Sequence, residues 1–303
     1  MEQLNVSLRQ LQYIIAVADL QGFRRAAEAC QVAQPSLSMQ VALAERQLGI
    51  KIFERDHRTV RVSAAGKAIV EQARRVLVAA HELRETARHA ADPFRGTLRI
   101  GVIPTVGPYL LPDITPALAE AFPHLRLLWT EARTSELVLE LKQGNLDAAL
   151  LALEAGIGDL DCEVLARDSF VLAAAARHPL MKKSRPAHPD VLNGQEVLVL
   201  DDGHCFRDQA LSFCTRAGAV ETSFRATSMA TLAQMVSAGT AVTLLPTMAV
   251  PVENRRAQLR VRRFTSPEPG RTLALAWRRG SALAKPLLTL AATIRTSMRE
   301  SST

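Results

Sequence analysis

The sequence predicts an α/β protein in three parts: a small helical module with a β-hairpin, one long helix, and a larger domain of alternating strands and helices. Three observations predict this organisation. Apolar residues recur at helical spacing through residues 8–50, and a heptad pattern then runs through residues 64–91. From residue 97 onwards, strand-like and helix-like segments alternate, which is typical of α/β architecture.

The composition is that of an ordinary globular protein. A chain of 303 residues with 48% hydrophobic and 22% charged residues can form more than one domain, each with its own core. No apolar run approaches the roughly 18 residues that span a bilayer, and the start MEQLNVSLRQ lacks the pattern of a signal peptide. We therefore expect a cytoplasmic protein with no membrane partner and no permanent disulfide. The net charge of +7 suits a polyanionic partner.

The first fifty residues predict three helices. LRQLQYIIAVA places Leu8, Leu11 and Ile15 on one helical face, and RRAAEACQVAQPSLSMQVALAERQLGI reads as two helices with a break near residues 31–33. Pro35 suits the first turn of the second of these helices, where a missing N–H is tolerated. The exposed face of that helix offers side chains that can hydrogen-bond base edges and phosphates in a major groove, namely Gln34, Ser36, Ser38 and Gln40.

A basic hairpin is predicted to follow these helices. IKIFERDHRTVRVS alternates as a β-hairpin does, and it carries Arg55, Arg58 and Arg61, which can hold a phosphate backbone. A plain helical domain with a solvated basic face would explain any one of these features. Their order together favours a winged helix-turn-helix that binds double-stranded DNA, with Arg25 and Pro35 also at the interface.

Residues 64–91 predict a helix that pairs with another chain. The apolar positions step alternately by four and three, at Ile69, Ala73, Val76, Ala80, Leu83 and Ala87. The alternative is a helix packed on its own domain. The length of the seam and its charged flanks favour a homodimer, in which two DNA-reading modules meet two half-sites.

The segment FRRAAEACQVAQPSLSMQVALAERQLGIKIFER resembles the N-terminal module of the LysR-type transcriptional regulators. One departure is Ala33, where many members have Ser or Thr that would cap the recognition helix. The resemblance implies a DNA-binding domain at 1–63, a linker helix at 64–92 and an effector domain at 93–303 with two subdomains like those of a periplasmic binding protein. We place subdomain I at 93–168 and 271–303, and subdomain II at 169–270. The family also implies a dimer of dimers, and we expect RNA polymerase as a further partner.

The second half predicts a parallel sheet with a ligand crevice. TLRIGVI at 97–103 and LRLLWTEA at 125–132 read as strands, and SELVLELKQG reads as a helix that ends at Gly144. Ligands in such folds bind beyond the carboxyl ends of strands. Thr105 and Thr134 follow the first two strands and would point into that crevice. The alternative for each threonine is a helix cap, and for Thr134 the two interpretations are equally weighted.

Two of the four cysteines lie close together, in DDGHCFRDQALSFC at 201–214. The stretch has no paired metal-ligand spacing and no nucleophile elbow, so neither a zinc site nor a hydrolase is expected. No cofactor is indicated. Cys30 and Cys162 are interpreted as inert thiols.

Cys205 has a distinctive setting. It follows Gly203, begins a predicted helix and neighbours His204 and Arg207, which should together favour the thiolate. A thiolate can attack a peroxide and become a sulfenic acid. Cys214 would lie at the far end of the helix, roughly 13.5 Å away, whereas a disulfide needs Cα atoms within about 7 Å. The pair can therefore bond only if the helix unravels, as in a conformational switch.

GHCFRDQALSFC, IPTVGPYLLP and RATSMATLAQMVSAGTAVTLLPTMAVP resemble segments of the peroxide-sensing LysR-type regulators. This resemblance implies that Cys205 reacts with hydrogen peroxide and that Cys214 resolves the product. It also implies a peroxide pocket formed by Thr105, Thr134, His204 and Arg271. The alternatives are a regulator that senses a small organic effector and a thiol peroxidase. The winged helix and the pairing helix favour a regulator over an enzyme.

Overall fold

The computed structural model describes residues 5–55, 60–89, 94–239 and 241–300, without the side chains of residues 55, 82 and 84–89. The chain forms two compact units, Met1–Arg88 and His89–Thr303. Within the described ranges, no helix combines the length and the apolar character that crossing a bilayer requires.

The first unit is a three-helix module followed by a hairpin and a long helix. Its elements are α1 (Leu8–Leu20), α2 (Phe23–Ala29), α3 (Gln34–Leu48), β1 (Phe53–Arg55), β2 (Val60–Val62) and α4 (Ala64–His89). Ser7 and Gln10 form a capping box that starts α1. Pro35 lies in the first turn of α3, and Ala33 supplies no side-chain cap there, as its identity predicts. The predicted winged helix-turn-helix is confirmed.

Hydrogen bonds and close packing connect the start of α4 to the residues just before β1. The hydroxyl of Ser63 donates to the carbonyl oxygen of Lys51 at 2.7 Å and accepts from the Gly66 N–H at 2.9 Å. Gly66 lies so close to the hairpin that a Cβ would stand 2.3 Å from the carbonyl oxygen of Ile52. The predicted apolar seam is divided: Ala73 packs in the unit's own core, whereas Leu83 is 73% exposed. A pairing helix therefore stays a prediction for the exposed part of the seam.

The second unit is an α/β domain. Its elements are β3 (Gly96–Val102), α5 (Gly107–Ala121), β4 (Leu125–Glu131), α6 (Thr134–Gln143), β5 (Ala148–Ala152), β6 (Asp161–Ala175), β7 (Glu196–Leu200), α7 (Cys205–Arg216), β8 (Val220–Ala226), α8 (Met229–Ser237), β9 (Thr243–Pro246), α9 (Val250–Ala257), β10 (Leu259–Arg263), β11 (Gly270–Trp277) and α10 (Ala284–Glu300). The strand–helix alternation predicted for this half is present.

The sheet is mixed, which corrects the prediction of a parallel one. In the seven-stranded sheet β3 pairs parallel to β4 and β5, whereas β7 and β8 pair parallel in a separate two-stranded sheet. β11 runs antiparallel to both β5 and β6, and β6 runs antiparallel to β9 and β10. The reason is topological: β6 carries the chain out of the first half of the domain and β11 brings it back, so the two strands run in opposite directions.

The domain contains two hydrophobic cores on either side of this crossing. One core gathers residues of β3, α5, α6 and α10, such as Ile100 and Ile114, and the other gathers residues of β7, α7, α8 and β9, such as Leu198 and Leu232. β6 contributes to both, with Leu165 in the first core and Phe170 in the second. Residues placed between the cores can therefore respond to changes in either half.

Candidate functional site

A glycine turn positions Cys205 at the first residue of α7. Gly203 has φ +93°, a left-handed conformation that residues with a side chain rarely adopt. A Cβ at this position would also lie 2.7 Å from Nη1 of Arg133, so space and conformation both require glycine. His204 occupies the N-cap position, and its side chain makes no capping hydrogen bond. The predicted tight turn and helix start are therefore both found.

The two thiols lie at opposite ends of one intact helix and in different cores. α7 is continuous from Cys205 to Arg216, and both cysteines are free. Cys205 is half-buried against the core that includes Ile100, whereas Cys214 is 1% exposed in the core that includes Leu198. Burial raises the pKa of Cys214 to about 12. Cys214 is therefore protonated near neutral pH while it stays in this core.

Arg271 joins several parts of the site in one buried contact group. Its Nη1 donates to Thr105 Oγ1 at 2.6 Å and its Nη2 donates to the carbonyl oxygen of Thr105 at 2.8 Å. Its guanidinium carbon lies 5.7 Å from the ring centroid of Phe206, the residue after Cys205. The side chain of Arg271 is fully buried. It therefore links the loop after β3 to the first turn of α7.

Asp168 is the buried counter-charge of Arg271, a role that was not predicted from the sequence. Nε of Arg271 donates to Asp168 Oδ2 at 3.0 Å. Burial raises the pKa of Asp168, although the charge of Arg271 opposes that rise. The available signal was a carboxylate two residues before the apolar run FVLAAA in β6.

Thr105 and Thr134 are not helix caps. The N-cap of α5 is Val106 and that of α6 is Arg133, while Thr134 is the first residue of α6. The Thr134 hydroxyl is buried without a hydrogen-bond partner among the described residues, an arrangement that costs about 1–3 kcal/mol. An unsatisfied hydroxyl can bind a small polar ligand, and the ligand-binding role of Thr134 stays a prediction.

His204 lies beside a carboxylate at the helix start. Its Nε2 lies 3.2 Å from Asp201 Oδ1, and Arg133 Nη2 donates to Asp201 Oδ2 at 3.5 Å. Arg133 precedes Thr134 and packs on Gly203. These contacts connect the start of α6 to the start of α7. Thr134 is therefore linked to the turn before Cys205 through Arg133.

Two side chains of α7 differ from expectation. Arg207, which was expected to act on Cys205, instead directs its guanidinium to the carboxylates of Glu221, Asp202 and Asp208. Gln209 was not predicted as a site residue. It lies one turn after Cys205 on the same helical face, and its buried amide has no hydrogen-bond partner in the described part of the chain. The i, i+4 spacing from Cys205 was the signal that could have identified it.

The residues predicted to contact bases lie on α3 as expected, but they differ in exposure and in hydrogen bonding. Gln34, Pro35 and Ser36 are exposed, while Ser38 and Gln40 are half-buried. Gln34 Nε2 donates to Ser38 Oγ at 2.9 Å, and Gln10 Nε2 donates to Gln40 Oε1 at 3.0 Å. Gln40 is thus oriented by α1, and its amide nitrogen remains the group it can offer to a base.

Basic residues gather beside the hairpin. Arg25, Arg61 and Lys67 line one groove of about 490 Å³ in the first unit, and all three are exposed. Lys67 was missed because it belongs to the first turn of α4 rather than to the hairpin. Arg58 and the side chain of Arg55 lie outside the described residues.

The two cysteines outside α7 are also free thiols. Cys30 is half-buried and Cys162 is exposed, and burial raises the pKa of each thiol. In the ranges that the structure describes, no group of three or more His, Cys, Asp or Glu side chains could hold a metal ion.

Comparison with known proteins identifies the family of both units. A family profile described as "Bacterial regulatory helix-turn-helix protein, lysR family" matches residues 8–67, and one described as "LysR substrate binding domain" matches residues 91–299. A "Hydrogen peroxide-inducible genes activator" of Dickeya chrysanthemi is 44% identical over 295 residues, covering 97% of this chain and 96% of that protein. The "DNA-binding transcriptional dual regulator OxyR" of Escherichia coli K12 is 43% identical, with 97% and 96% coverage.

Solved structures give the same result. A full-length OxyR from Pseudomonas aeruginosa carrying a cysteine-to-aspartate change has a TM-score of 0.75 at 36% identity, covering 95% of this chain and 94% of that chain. A Corynebacterium glutamicum OxyR cysteine-to-serine mutant with bound hydrogen peroxide has a TM-score of 0.65 at 31% identity, with 98% and 96% coverage. The chain therefore belongs to the LysR family of bacterial regulators and, within it, to the OxyR group.

Proposed function

We propose that this chain is a DNA-binding transcriptional regulator that senses hydrogen peroxide through a thiol–disulfide switch between Cys205 and Cys214. The observation that carries the proposal is the placement of two free thiols at opposite ends of one intact helix, each against a different core. A disulfide would require α7 to unravel, because nine residues of helix span roughly 13.5 Å. Relatives named as hydrogen peroxide-inducible genes activators support the same function.

The chemistry balances as a two-electron oxidation of the two thiols. The Cys205 thiolate attacks one peroxide oxygen, the O–O bond breaks, and the departing hydroxide takes a proton to leave as water. Cys205 is then a sulfenic acid. The Cys214 sulfur attacks the Cys205 sulfur, the S–O bond breaks, and a second water leaves as the disulfide forms. Cys214 must leave its core for this step, because burial keeps its thiol protonated and out of reach.

The peroxide pocket is proposed to comprise Thr105, Thr134, His204 and Arg271. The buried Thr134 hydroxyl without a partner supports a polar ligand there, and the Gln209 amide joins the set for the same reason. The Arg271 guanidinium already holds Thr105 and carries a positive charge that can stabilise the hydroxide leaving peroxide. Asp168 would keep that guanidinium in place.

Family membership makes the first unit the DNA-binding module. The individual DNA contacts and the other partners are proposed here. α3 would enter the major groove with Gln34, Ser36 and Gln40, while Arg25, Arg61 and Lys67 would bind phosphates. We propose a homo-oligomer through the exposed seam of α4, an interaction with RNA polymerase, a cytoplasmic location, and the predicted domain boundaries at 63, 92, 168 and 271. The two cores on either side of the β6–β11 crossing support the last two boundaries.

A second candidate function is a regulator that responds to a small organic effector. A groove of about 860 Å³ lies beside Asp168 and is lined by Tyr109, Met248 and Met298 among others, a volume typical of ligand sites. A thiol peroxidase is the enzyme alternative, and it would consume peroxide repeatedly when a dithiol reductant is supplied. Single-turnover oxidation, with no sustained consumption, would separate the regulator from the peroxidase.

Brief exposure to peroxide, followed by peptide mass spectrometry of the thiols and DNA footprinting of the same sample, tests the proposal. We expect a Cys205–Cys214 disulfide and an altered footprint. Hydrogen exchange of the same sample should show lost amide protection across residues 206–214. Cys205→Ser should abolish the response, and Cys214→Ser should stop at the sulfenic acid. Cys162→Ser is the control and should respond normally. An unreactive Cys205 would refute the switch and leave the organic effector as the better candidate.

A further inference from the structure

A cluster of charged side chains joins the first turn of α7 to the neighbouring strand β8. Arg207, on the first turn of α7, donates through Nη2 to Glu221 Oε1 of β8 at 3.0 Å. The same carboxylate oxygen accepts from Arg225 Nε at 3.1 Å. Asp202, in the loop before α7, lies 3.4 Å from Arg207 Nη1 and accepts from Arg225 Nη1 at 2.8 Å. One cluster thus joins the loop, the helix and the strand.

The members of this cluster differ in burial. The side chain of Arg207 is only 11% exposed and that of Glu221 is 23% exposed, whereas Asp202 and Asp208 are about three-quarters exposed. Exposed pairs contribute little, while a charge that is mostly buried depends strongly on its partner. The Arg207–Glu221 pair is therefore the contact in this cluster on which the position of Arg207 most depends.

Arg207 lies inside the loop that the disulfide would close. Residues 205–214 cannot remain one helix when their ends are bonded, and we expect Arg207, two residues from Cys205, to leave its helical position. Glu221 would then keep Arg225, which is on the same strand, and would not be left without a counter-charge. The cluster is thus complete when α7 is helical and can lose Arg207 without leaving a buried carboxylate unpaired.

We propose that Glu221 is a positioning residue that stabilises the dithiol form through Arg207 and thereby sets the threshold at which the switch oxidises. This inference rests on the proposed thiol–disulfide function. Glu221 touches neither sulfur in this scheme. It lowers the free energy of the helical, reduced state by a contact that the disulfide form does not share, so it raises the reduction potential of the cysteine pair.

The test compares full-length wild type with Glu221→Gln in glutathione buffers of defined ratio. Neutralising Glu221 leaves a largely buried guanidinium without its main partner, so we expect the equilibrium to favour the disulfide about tenfold more, a shift of about 30 mV to more negative potential. Glu268→Gln is the matched control, because Glu268 is 22% exposed and pairs with Arg263 at 2.9 Å, away from α7. That control should keep the wild-type potential.

Rates supply a second readout that general destabilisation would not reproduce. Glu221→Gln should form the Cys205 sulfenic acid at the wild-type rate, because the peroxide pocket is unchanged, and should then form the disulfide several-fold faster. Arg207→Lys retains the charge but loses the planar fork, and its potential should shift in the same direction. Equal potentials in wild type and Glu221→Gln would overturn the inference. Failure of wild type to form the Cys205–Cys214 disulfide would instead refute the proposed function on which it rests.

Discussion

Arg271 and Asp168 face each other across the antiparallel pairing of β11 and β6, and Arg271 Nε donates to Asp168 Oδ2 at 3.0 Å. The two residues are 103 positions apart, at the point where the chain passes between the two cores. Both side chains are buried, so the pair is protected from solvent. The guanidinium that binds Thr105 is therefore aligned by a carboxylate from a different strand.

We predict that Asp168→Ala lowers the free energy of unfolding by about 3–5 kcal/mol, because it leaves the Arg271 charge buried and unpaired. Asp168→Asn keeps an acceptor and should cost less. Glu163→Gln, on the same strand, removes the half-buried pair with Arg295, which is more accessible to solvent than Asp168, and should cost less, about 1 kcal/mol. Urea denaturation of the reduced proteins measures these values, and a loss no larger for Asp168→Ala than for Glu163→Gln would contradict the prediction.

The buried thiol of Cys214 predicts a dependence of stability on alkaline pH. Its folded pKa is about 12 against an ordinary value of 9.0, so the unfolded chain loses this proton first. The free energy of unfolding should therefore fall as the pH rises from about 9 to 12, by up to about 1.4 kcal/mol per pH unit. In Cys214→Ala this contribution should be absent. Urea denaturation under reducing conditions measures the difference in slope, and parallel slopes for wild type and Cys214→Ala would contradict the prediction.

Arg61 and Lys67 are predicted to bind DNA phosphates and not bases. Either change to Ala should weaken binding to all sequences alike and reduce the slope of log affinity against log salt by about 0.9. Arg58→Ala is expected to behave in the same way. Ser36→Ala should instead alter the preference among sequences. Fluorescence anisotropy over a salt series tests this, with the exposed Arg126 of β4 changed to Ala as control. Unchanged salt slopes would refute the phosphate role.

The exposed seam of α4 predicts a contact between two chains. Leu83 is 73% exposed and Val76 is 40% exposed, whereas the earlier seam residues Ile69 and Ala73 are half-buried and buried respectively. Leu83→Lys should weaken self-association at least tenfold, because it places a charge in the pairing face. Leu139→Lys, at an apolar residue of α6 that is 52% exposed, is the matched control. Sedimentation velocity measures both, and equal association constants would show that the seam is not an interface.

Local features of the chain are those that the sequence by itself determined. Gly203 and the residues after it predict a turn and then a helix that carries Cys205 and Cys214, because φ preference and helical rise act over a few neighbouring residues. The same holds for α3, with Pro35 in its first turn, and for the hairpin after it. The separation of the two thiols along α7 therefore followed from the order of residues alone.

Contacts between distant segments were decided only by the tertiary structure. Alternating strands and helices do not reveal that β6 and β11 run antiparallel, since strand direction depends on how the whole chain crosses between the two cores. For the same reason Asp168 was not recognised as the partner of Arg271. Arg207 was expected to serve Cys205, yet the packing of α7 on β8 presents it to Glu221. The partner of a charged side chain depends on burial and on strand register. Both are set by the tertiary structure and cannot be inferred from the residues adjacent in sequence.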